Sequence, residues 1–445
     1  MRKNDEYIAL ITGTGASGEG VCRVDGEVVF VPYALLGEKV KIHIVKVLKS
    51  HAYAKLIQVI TPSPHRKNPE CPVFYKCGGC SLQHCDYEYE LEFKTNKVRD
   101  CIRRIGGLDI PVLPCEPSPE TEGYRNKGLF SVAPEGIGFF SPRSHSLVRA
   151  DGCIIQNKNT QYVIDAIYEY MAQCRVPVYD EASHTGTIRG IFVRTLGGKM
   201  SVCVISRTSE IPEKERLVKM LRLAGANSVI LNVNPNRTNV PMGKTNITLC
   251  GSPVMTDEIG GITFEISPAS FYQINSLQTK RLYDYAISAL NLDETMTVFD
   301  LYCGIGTISL CAARHVKKVV GVEVVPEAVE NARKNAGING ISNAEFLCAK
   351  AEDAAQDLGH ADAVIIDPPR KGCDPGLICA IRQINPEKIM YISCNPATLA
   401  RDLKQICEYG YTAVSAQPFD MFPKTFHVET AVLLTKYGGG ENAAK

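Results

Sequence analysis

The sequence predicts an α/β protein in three parts: an N-terminal β-barrel over residues 1–61, a central α+β segment over 62–265, and a doubly wound parallel sheet over 266–445. Three observations carry this expectation. Residues 7–60 read as short strands with turns between them, residues 62–265 mix strand-like and helical runs, and after residue 266 strands and helices alternate regularly. At 445 residues, 45% hydrophobic and 22% charged, the chain has the length of two or three domains and the composition of a globular protein.

In the barrel, Tyr7–Thr12 leads into the glycine-rich G-T-G-A-S-G-E-G, followed by Val21–Val24, a turn at Asp25-Gly26 and Glu27–Val31. The run Lys39–Val47 alternates at period two, which sets Lys39, Lys41 and His43 on one face and Val40, Ile42 and Ile44 on the other. Residues 1–60 hold eight Lys and Arg against six Asp and Glu, so the barrel has a mildly basic face of a kind that can bind RNA. Thr61-Pro-Ser-Pro64 marks the boundary.

No apolar run is long enough to span a membrane, and M-R-K-N-D-E lacks the core of a signal peptide, so a cytoplasmic location is expected. The net charge of +1 says nothing about partners. In a reducing compartment, clustered cysteines point to metal binding or chemistry rather than disulfides. Cys71, Cys77 and Cys80 fall within ten residues, with Gly78 and Gly79 allowing a tight backbone around thiolate ligands. His84, Cys85 and the isolated Cys153 are open choices for a fourth ligand, and spacing leaves zinc and an iron–sulfur cluster both open.

Residues 86–105 form a charged helical pattern with Leu91, Val98 and Ile102 as core anchors, ending at Gly106-Gly107. The basic, aromatic run Tyr124–Phe130 follows. Strand-like runs then recur at Ile191–Arg194, Ser201–Ile205 and Val229–Val233. The terminal G-G-G-E-N-A-A-K reads as a frayed tail.

The chemistry-bearing motifs gather in the last part. Strand Thr297–Tyr302 runs into the tight turn C-G-I-G-T, and strand Lys318–Glu323 ends in an acid able to accept hydrogen bonds from ribose hydroxyls. D-L-Y-C-G-I-G is not the dinucleotide pattern G-x-G-x-x-G and is more like an S-adenosylmethionine pocket. Asp367-Pro-Pro-Arg-Lys-Gly372 places a rigid turn after the next strand, aiming Asp367 and Arg370 into the crevice. Strand Lys388–Ser393 delivers Cys394 at its tip, and Pro396 suits the first position of the following helix. In the strand-like Phe426–Thr430, His427 and Glu429 share one face, which makes Glu429 a candidate base beside a cysteine nucleophile. Cys303 and Cys373 are rival thiols, each in a context that reads as structural.

Together F-Y-Q-I-N (271–275), D-L-Y-C-G-I-G, D-P-P-R-K-G, S-C-N-P and F-P-K-T-F-H-V-E resemble the RNA uracil-5-methyltransferase family, in order across residues 266–435. The resemblance implies a Rossmann-like S-adenosylmethionine-dependent methyltransferase domain and makes the barrel similar to an OB-like TRAM domain. C-x5-C-G-G-C resembles the branch acting on 23S ribosomal RNA, which implies a [4Fe–4S] cluster on Cys71, Cys77, Cys80 and Cys153. It implies Cys394 as nucleophile at uracil C6 and Glu429 as the base that frees the product. Gln273, Tyr302, Glu323 and Asp367 are then the S-adenosylmethionine contacts, Phe271 and Arg370 uracil contacts, and the target base is flipped from its stack. A monomer in the cytoplasm, with no membrane partner, is expected. Two alternatives stand beside this reading: a tRNA uracil-5-methyltransferase with the same catalysis, and a redox-sensing RNA-binding protein with a degenerate catalytic half.

Overall fold

The computed structural model describes residues 1–142, 144, 146–237, 240–268 and 270–436, leaving aside the side chains of 355 and 356; the glycine-rich tail expected at 438–445 lies outside them. At the N-terminus, strands Glu6–Leu10, Gly13–Thr14, Gly20–Val24, Glu27–Val31, Lys39–Val47 and His51–Thr61 form one six-stranded sheet. Glu6–Leu10 pairs with Lys39–Val47 while Gly13–Thr14 pairs with Gly20–Val24, so the first stretch of chain joins both edges and closes the barrel. The period-two reading holds: Val40, Ile42 and Ile44 are fully buried, and Lys41 reaches Glu6 at 2.7 Å on the outer face.

The central part is a seven-stranded mixed sheet, in which Lys127–Ala133, Ile188–Leu196 and Lys199–Ser206 are adjacent antiparallel neighbours. Helices Thr160–Gln173 and Lys214–Leu223 cover it through Ile164, Ile167, Leu217 and Leu221.

The last sheet consists of β1 (Thr297–Leu301), β2 (Lys318–Glu323), β3 (Ala344–Cys348), β4 (Ala363–Ile366), β5 (Lys388–Ser393), β6 (Tyr411–Phe419) and β7 (Glu429–Lys436), in spatial order 3-2-1-4-5-7-6. Strands β1–β5 are parallel, and β7 inserts antiparallel between β5 and β6. The sheet is therefore mixed rather than wholly parallel. Alternate residues serve opposite faces: Val298, Ile365 and Met390 face one core, and Phe299, Ile366 and Tyr391 the other. Both faces are covered, which is why these strands read as continuous apolar runs.

Two segments cross the boundaries drawn from sequence. The hairpin Met255–Ile259/Ile262–Ile266 packs into the same core as Val298 and Val319. Helix α1 (Tyr87–Cys101) sends Val98, with the following Ile102, into a core shared with Leu399, Ala400 and Leu403 of α2 (Pro396–Glu408). Of the core anchors expected over residues 86–105, Val98 and Ile102 are buried, and so are the charged Glu90 and Lys94. Among the described residues no helix is long and apolar enough to cross a membrane.

Candidate active site

The carboxyl ends of β1, β2, β4 and β5 meet the amino end of β7, and Tyr302, Glu323, Asp367, Cys394 and Glu429 lie at these strand ends. β5 ends at Ser393, which pairs with Thr430 of β7; extending that register one residue sets Cys394 opposite Glu429. Asn395 caps α2, its side chain accepting from Ala397 N–H at 3.2 Å, and Pro396 occupies the first turn as its fixed φ predicts. Asn395 Nδ2 and Thr398 Oγ1 also donate to Arg370 O at 3.1 and 3.3 Å, tying the S-C-N-P turn to the D-P-P-R loop.

Electrostatics couples the four side chains. Burial pushes the Cys394 thiol up to about 11, Glu429 and Asp367 push the same way, and the Arg370 guanidinium opposes by charge and hydrogen bonding. Glu429, 2% exposed, is held well above the usual carboxylate range by burial and then by Asp367, with Arg370 again opposing. Asp367 is raised to about 7 by burial and by the neighbouring Asp300. His427 is pushed down to about 4 by burial and then by Arg370, so it is a neutral ring, stacked 4.1 Å from Phe426. Strand β7 begins at Glu429, so Phe426–Val428 belongs to the preceding loop rather than to a strand.

Beside this group lies a notch at the ends of β1 and β2. Tyr302, at φ +77°, and Cys303 both donate their N–H to Val322 O, at 2.9 and 3.0 Å. Gly304 and Gly306 also have positive φ, so the backbone folds back close to the strand ends. Gly321 has no room for a side chain: a Cβ would stand 2.6 Å from Phe346 and 2.9 Å from Cys303 Sγ. Both Glu323 carboxylate oxygens accept backbone N–H groups, from Gly304 at 3.2 Å and Val325 at 2.9 Å, which fixes the acid at the notch. Asp300 is fully buried; Ser309 donates to Oδ2, while Oδ1 has no partner. An unpartnered buried acceptor beside a glycine turn and a fixed acid suits a polar, hydroxyl-bearing or cationic ligand.

The segment 270–275 forms the far wall, docked by the central domain. Arg194, 2% exposed, donates to Ser267 O and Ser270 O at 2.8 and 2.9 Å, and Asn126 Nδ2 donates to Gln273 O at 2.7 Å. Phe271 is 68% exposed, with Lys127 Nζ 5.4 Å from its ring centre. The rival thiols are buried elsewhere: Cys303 within the glycine turn, and Cys373 3.5 Å from Tyr391 Oη, each raised by burial.

Cys71, Cys77, Cys80 and Cys153 line one cavity of about 390 Å³ on the central domain, with Arg125 and Lys127 also on its wall. His84 and Cys85 do not line it: His84 is buried against Tyr33 and Phe74, and Cys85 donates to Leu82 O. Among the described residues no group of three or more His, Cys, Asp or Glu is arranged to hold one metal ion.

Sequence reading missed Lys94, which donates from full burial to Glu90 at 2.6 Å and to Asp420 at 2.5 Å. A signal was present. Lys94 falls on the same helical stripe as Leu91 and Val98, where a charge is out of place unless paired. Arg194 carried no such signal, because a strand buried on both faces has no polar side to violate.

Residues 254–437 match the family model described as tRNA (Uracil-5-)-methyltransferase, and residues 2–57 match the TRAM domain. RNA methyltransferases of otherwise uncharacterised role from Clostridium tetani and Caldanaerobacter subterraneus are each 42% identical; the alignments cover 98% of this chain and 98% and 99% of theirs. Among solved structures, the Pyrococcus abyssi tRNA (uracil-54, C5)-methyltransferase in complex with S-adenosyl-L-homocysteine superposes with a TM-score of 0.79 at 27% identity, covering 96% of this chain and 100% of that one.

Proposed function

The chain belongs to the RNA uracil-5-methyltransferase family, and from that premise we propose that it methylates uracil C5 in 23S ribosomal RNA through a covalent adduct between Cys394 and uracil C6. The observation that carries the catalytic part is the β5–β7 register, which continued one residue past Ser393↔Thr430 brings Cys394 towards Glu429, with Asp367 and Arg370 acting electrostatically on both. Uracil C5 is a weak carbon nucleophile. Addition of the Cys394 thiolate to C6 makes the ring an enolate with electron density at C5. S-adenosylmethionine, when bound, supplies the electrophilic methyl group. Glu429 then takes the remaining C5 proton, the C5=C6 bond re-forms, and the C6–S bond breaks to return the thiolate. Arg370 favours the charged forms of both groups. Glu323, Tyr302, Gln273 and Asp367 are the residues we assign to the methyl donor, Glu323 to its ribose, and Phe271 with Arg370 to the uracil. Cys394→Ala should abolish methyl transfer and adduct together; full activity in that variant would sink the proposal.

The choice of ribosomal RNA rests on the cysteine motif. A tRNA substrate is the second reading, favoured by the full-length likeness to a protein described as acting on tRNA uracil-54. Mapping 5-methyluridine in both RNAs from cells lacking the gene separates them: loss from ribosomal RNA supports the first reading, loss from tRNA the second.

A [4Fe–4S] cluster on Cys71, Cys77, Cys80 and Cys153 is part of the same reading. Its support is that all four thiols, and neither His84 nor Cys85, line one cavity. Methyl transfer is redox neutral, so the cluster would serve structure or RNA contact. A brown protein after anaerobic purification, bleached by Cys153→Ser, supports the cluster; a colourless zinc protein refutes it. We take the protein to act as a cytoplasmic monomer, which sedimentation would test.

A further inference from the structure

The loop Asp420–Val428, which leads into Glu429, closes on itself through Thr425, whose N–H and Oγ1 donate to Phe422 O at 3.2 and 2.8 Å, and is also held by distant chain. Ser81 and Leu82 N–H groups both donate to Lys424 O, at 2.9 and 3.1 Å, and Phe426 N–H donates back to Ser81 Oγ at 2.8 Å. Lys424 is bent at φ +67°, a conformation that a non-glycine residue keeps only when its surroundings impose it. Tyr124 Oη donates to Pro423 O at 3.1 Å, and Phe422 packs on a small apolar cluster with Tyr124, Ile274, Cys80 and Cys153. From the other side Lys97 donates to Phe426 O at 2.9 Å. The loop therefore rests on the cysteine-rich segment that it never meets in sequence.

We propose that Ser81, immediately after Cys80, is a positioning residue for the general base: its hydroxyl and N–H lock the Lys424–Phe426 turn and thereby set the Glu429 carboxylate over the C5 proton. The inference rests on the reading of Glu429 as base and of Cys394 as nucleophile. Its chemistry is specific to one step. Nucleophilic attack and methylation use Cys394, which α2 and β5 hold; only removal of the C5 proton, with return of that electron pair to C5=C6 and expulsion of the Cys394 thiolate, depends on the loop. Misplacing a catalytic group by about 1 Å can cost on the order of 100-fold. The cysteine-rich segment would in this way control release of methylated RNA rather than its methylation, so disorder there would leave enzyme trapped on RNA.

The test follows both phases in a single turnover with uridine-containing RNA and labelled S-adenosylmethionine: appearance of methyl label, and lifetime of the covalent adduct on denaturing gels. Ser81→Ala removes only the hydroxyl. The expected result is methylation within about twofold of the unsubstituted protein and adduct decay slowed at least about tenfold, with Ser81→Thr restoring decay because it keeps the hydroxyl. Adduct decay unchanged in Ser81→Ala, or both phases slowed equally, overturns the proposal. Glu429→Gln is the control for the underlying reading: if it forms no lasting adduct, that reading fails, whereas a lasting adduct in Glu429→Gln with normal decay in Ser81→Ala removes the role of Ser81 alone.

Discussion

Ser393 faces Thr430 across an antiparallel strand pair, and the next residue along on each side is Cys394 and Glu429, where the Glu429 carboxyl pushes the Cys394 thiol up. They reach this position from elements that run in opposite directions through the sheet. Because side chains at facing positions lie on the same side of a sheet, a thiol and a carboxyl placed so must share one pocket. In the proposed mechanism, the thiol adds first and the carboxylate acts last.

Glu429→Gln tests that order. The amide keeps the shape and loses the base, so methylated RNA should stay bound through Cys394. Turnover should fall by about 100- to 10,000-fold, the usual worth of a general base. A gel-shifted, denaturant-resistant complex carrying the methyl label is the expected product.

The pH dependence follows from the Cys394 thiol, raised to about 11. Thiolate is the reactive form, so at neutral pH only a small fraction is poised, and that fraction grows tenfold per pH unit below the raised value. Single-turnover adduct formation should rise with pH, by about 100-fold between about pH 7 and about pH 9. Arg370→Met, which removes the opposing charge, should lower the rate at every pH and move the rise further to the alkaline side.

Lys94→Met should be severely destabilising. Lys94 is buried between Glu90 and Asp420, and Tyr87 Oη donates to the second oxygen of Asp420 at 2.9 Å. Removing the cation strands two buried carboxylates, at a cost of about 3–5 kcal/mol. Glu90 is already raised to about 7 by burial, with Lys94 opposing, so in the variant its folded form binds the proton more tightly than the unfolded chain does. The loss should be full at alkaline pH and shrink as pH falls through the raised value. Urea unfolding at several pH values checks magnitude and sign.

Gly321→Ala should weaken the methyl-donor site through packing. Its Cβ would press on Phe346 and on Cys303, which opens the glycine turn. Overpacking of this kind costs about 1–3 kcal/mol. Calorimetric binding of S-adenosylhomocysteine should weaken while RNA binding, measured on the same variant, stays unchanged.

Much of the site was legible from local pattern. The turn residues 303–306, the D-P-P-R loop and S-C-N-P each announce a strand end, because glycine and proline restrict or free the backbone in ways independent of distant chain. Phe426–Val428 was misread as strand because His427 and Glu429 alternate suitably, whereas Ser81 and Lys97 claim the Phe426 N–H and C=O that a strand partner would have used. The buried ion pairs of α1 went unread for a related reason: the partner that justifies burying Lys94 is Asp420, 326 residues away.

The sequence by itself therefore determined the barrel, the strand–helix alternation, the residue types at each strand tip and the family. These depend on periodicity and on intrinsic backbone preference, which act over a few residues. Tertiary structure alone decided that the strand carrying Glu429 runs antiparallel beside the one ending before Cys394, that one cavity gathers Cys71, Cys77, Cys80 and Cys153, and that the loop before Glu429 leans on Ser81 and Lys94. Register across an inserted antiparallel strand and the pairing of buried charges are set by the sheet order and by long-range packing, and no local pattern encodes them.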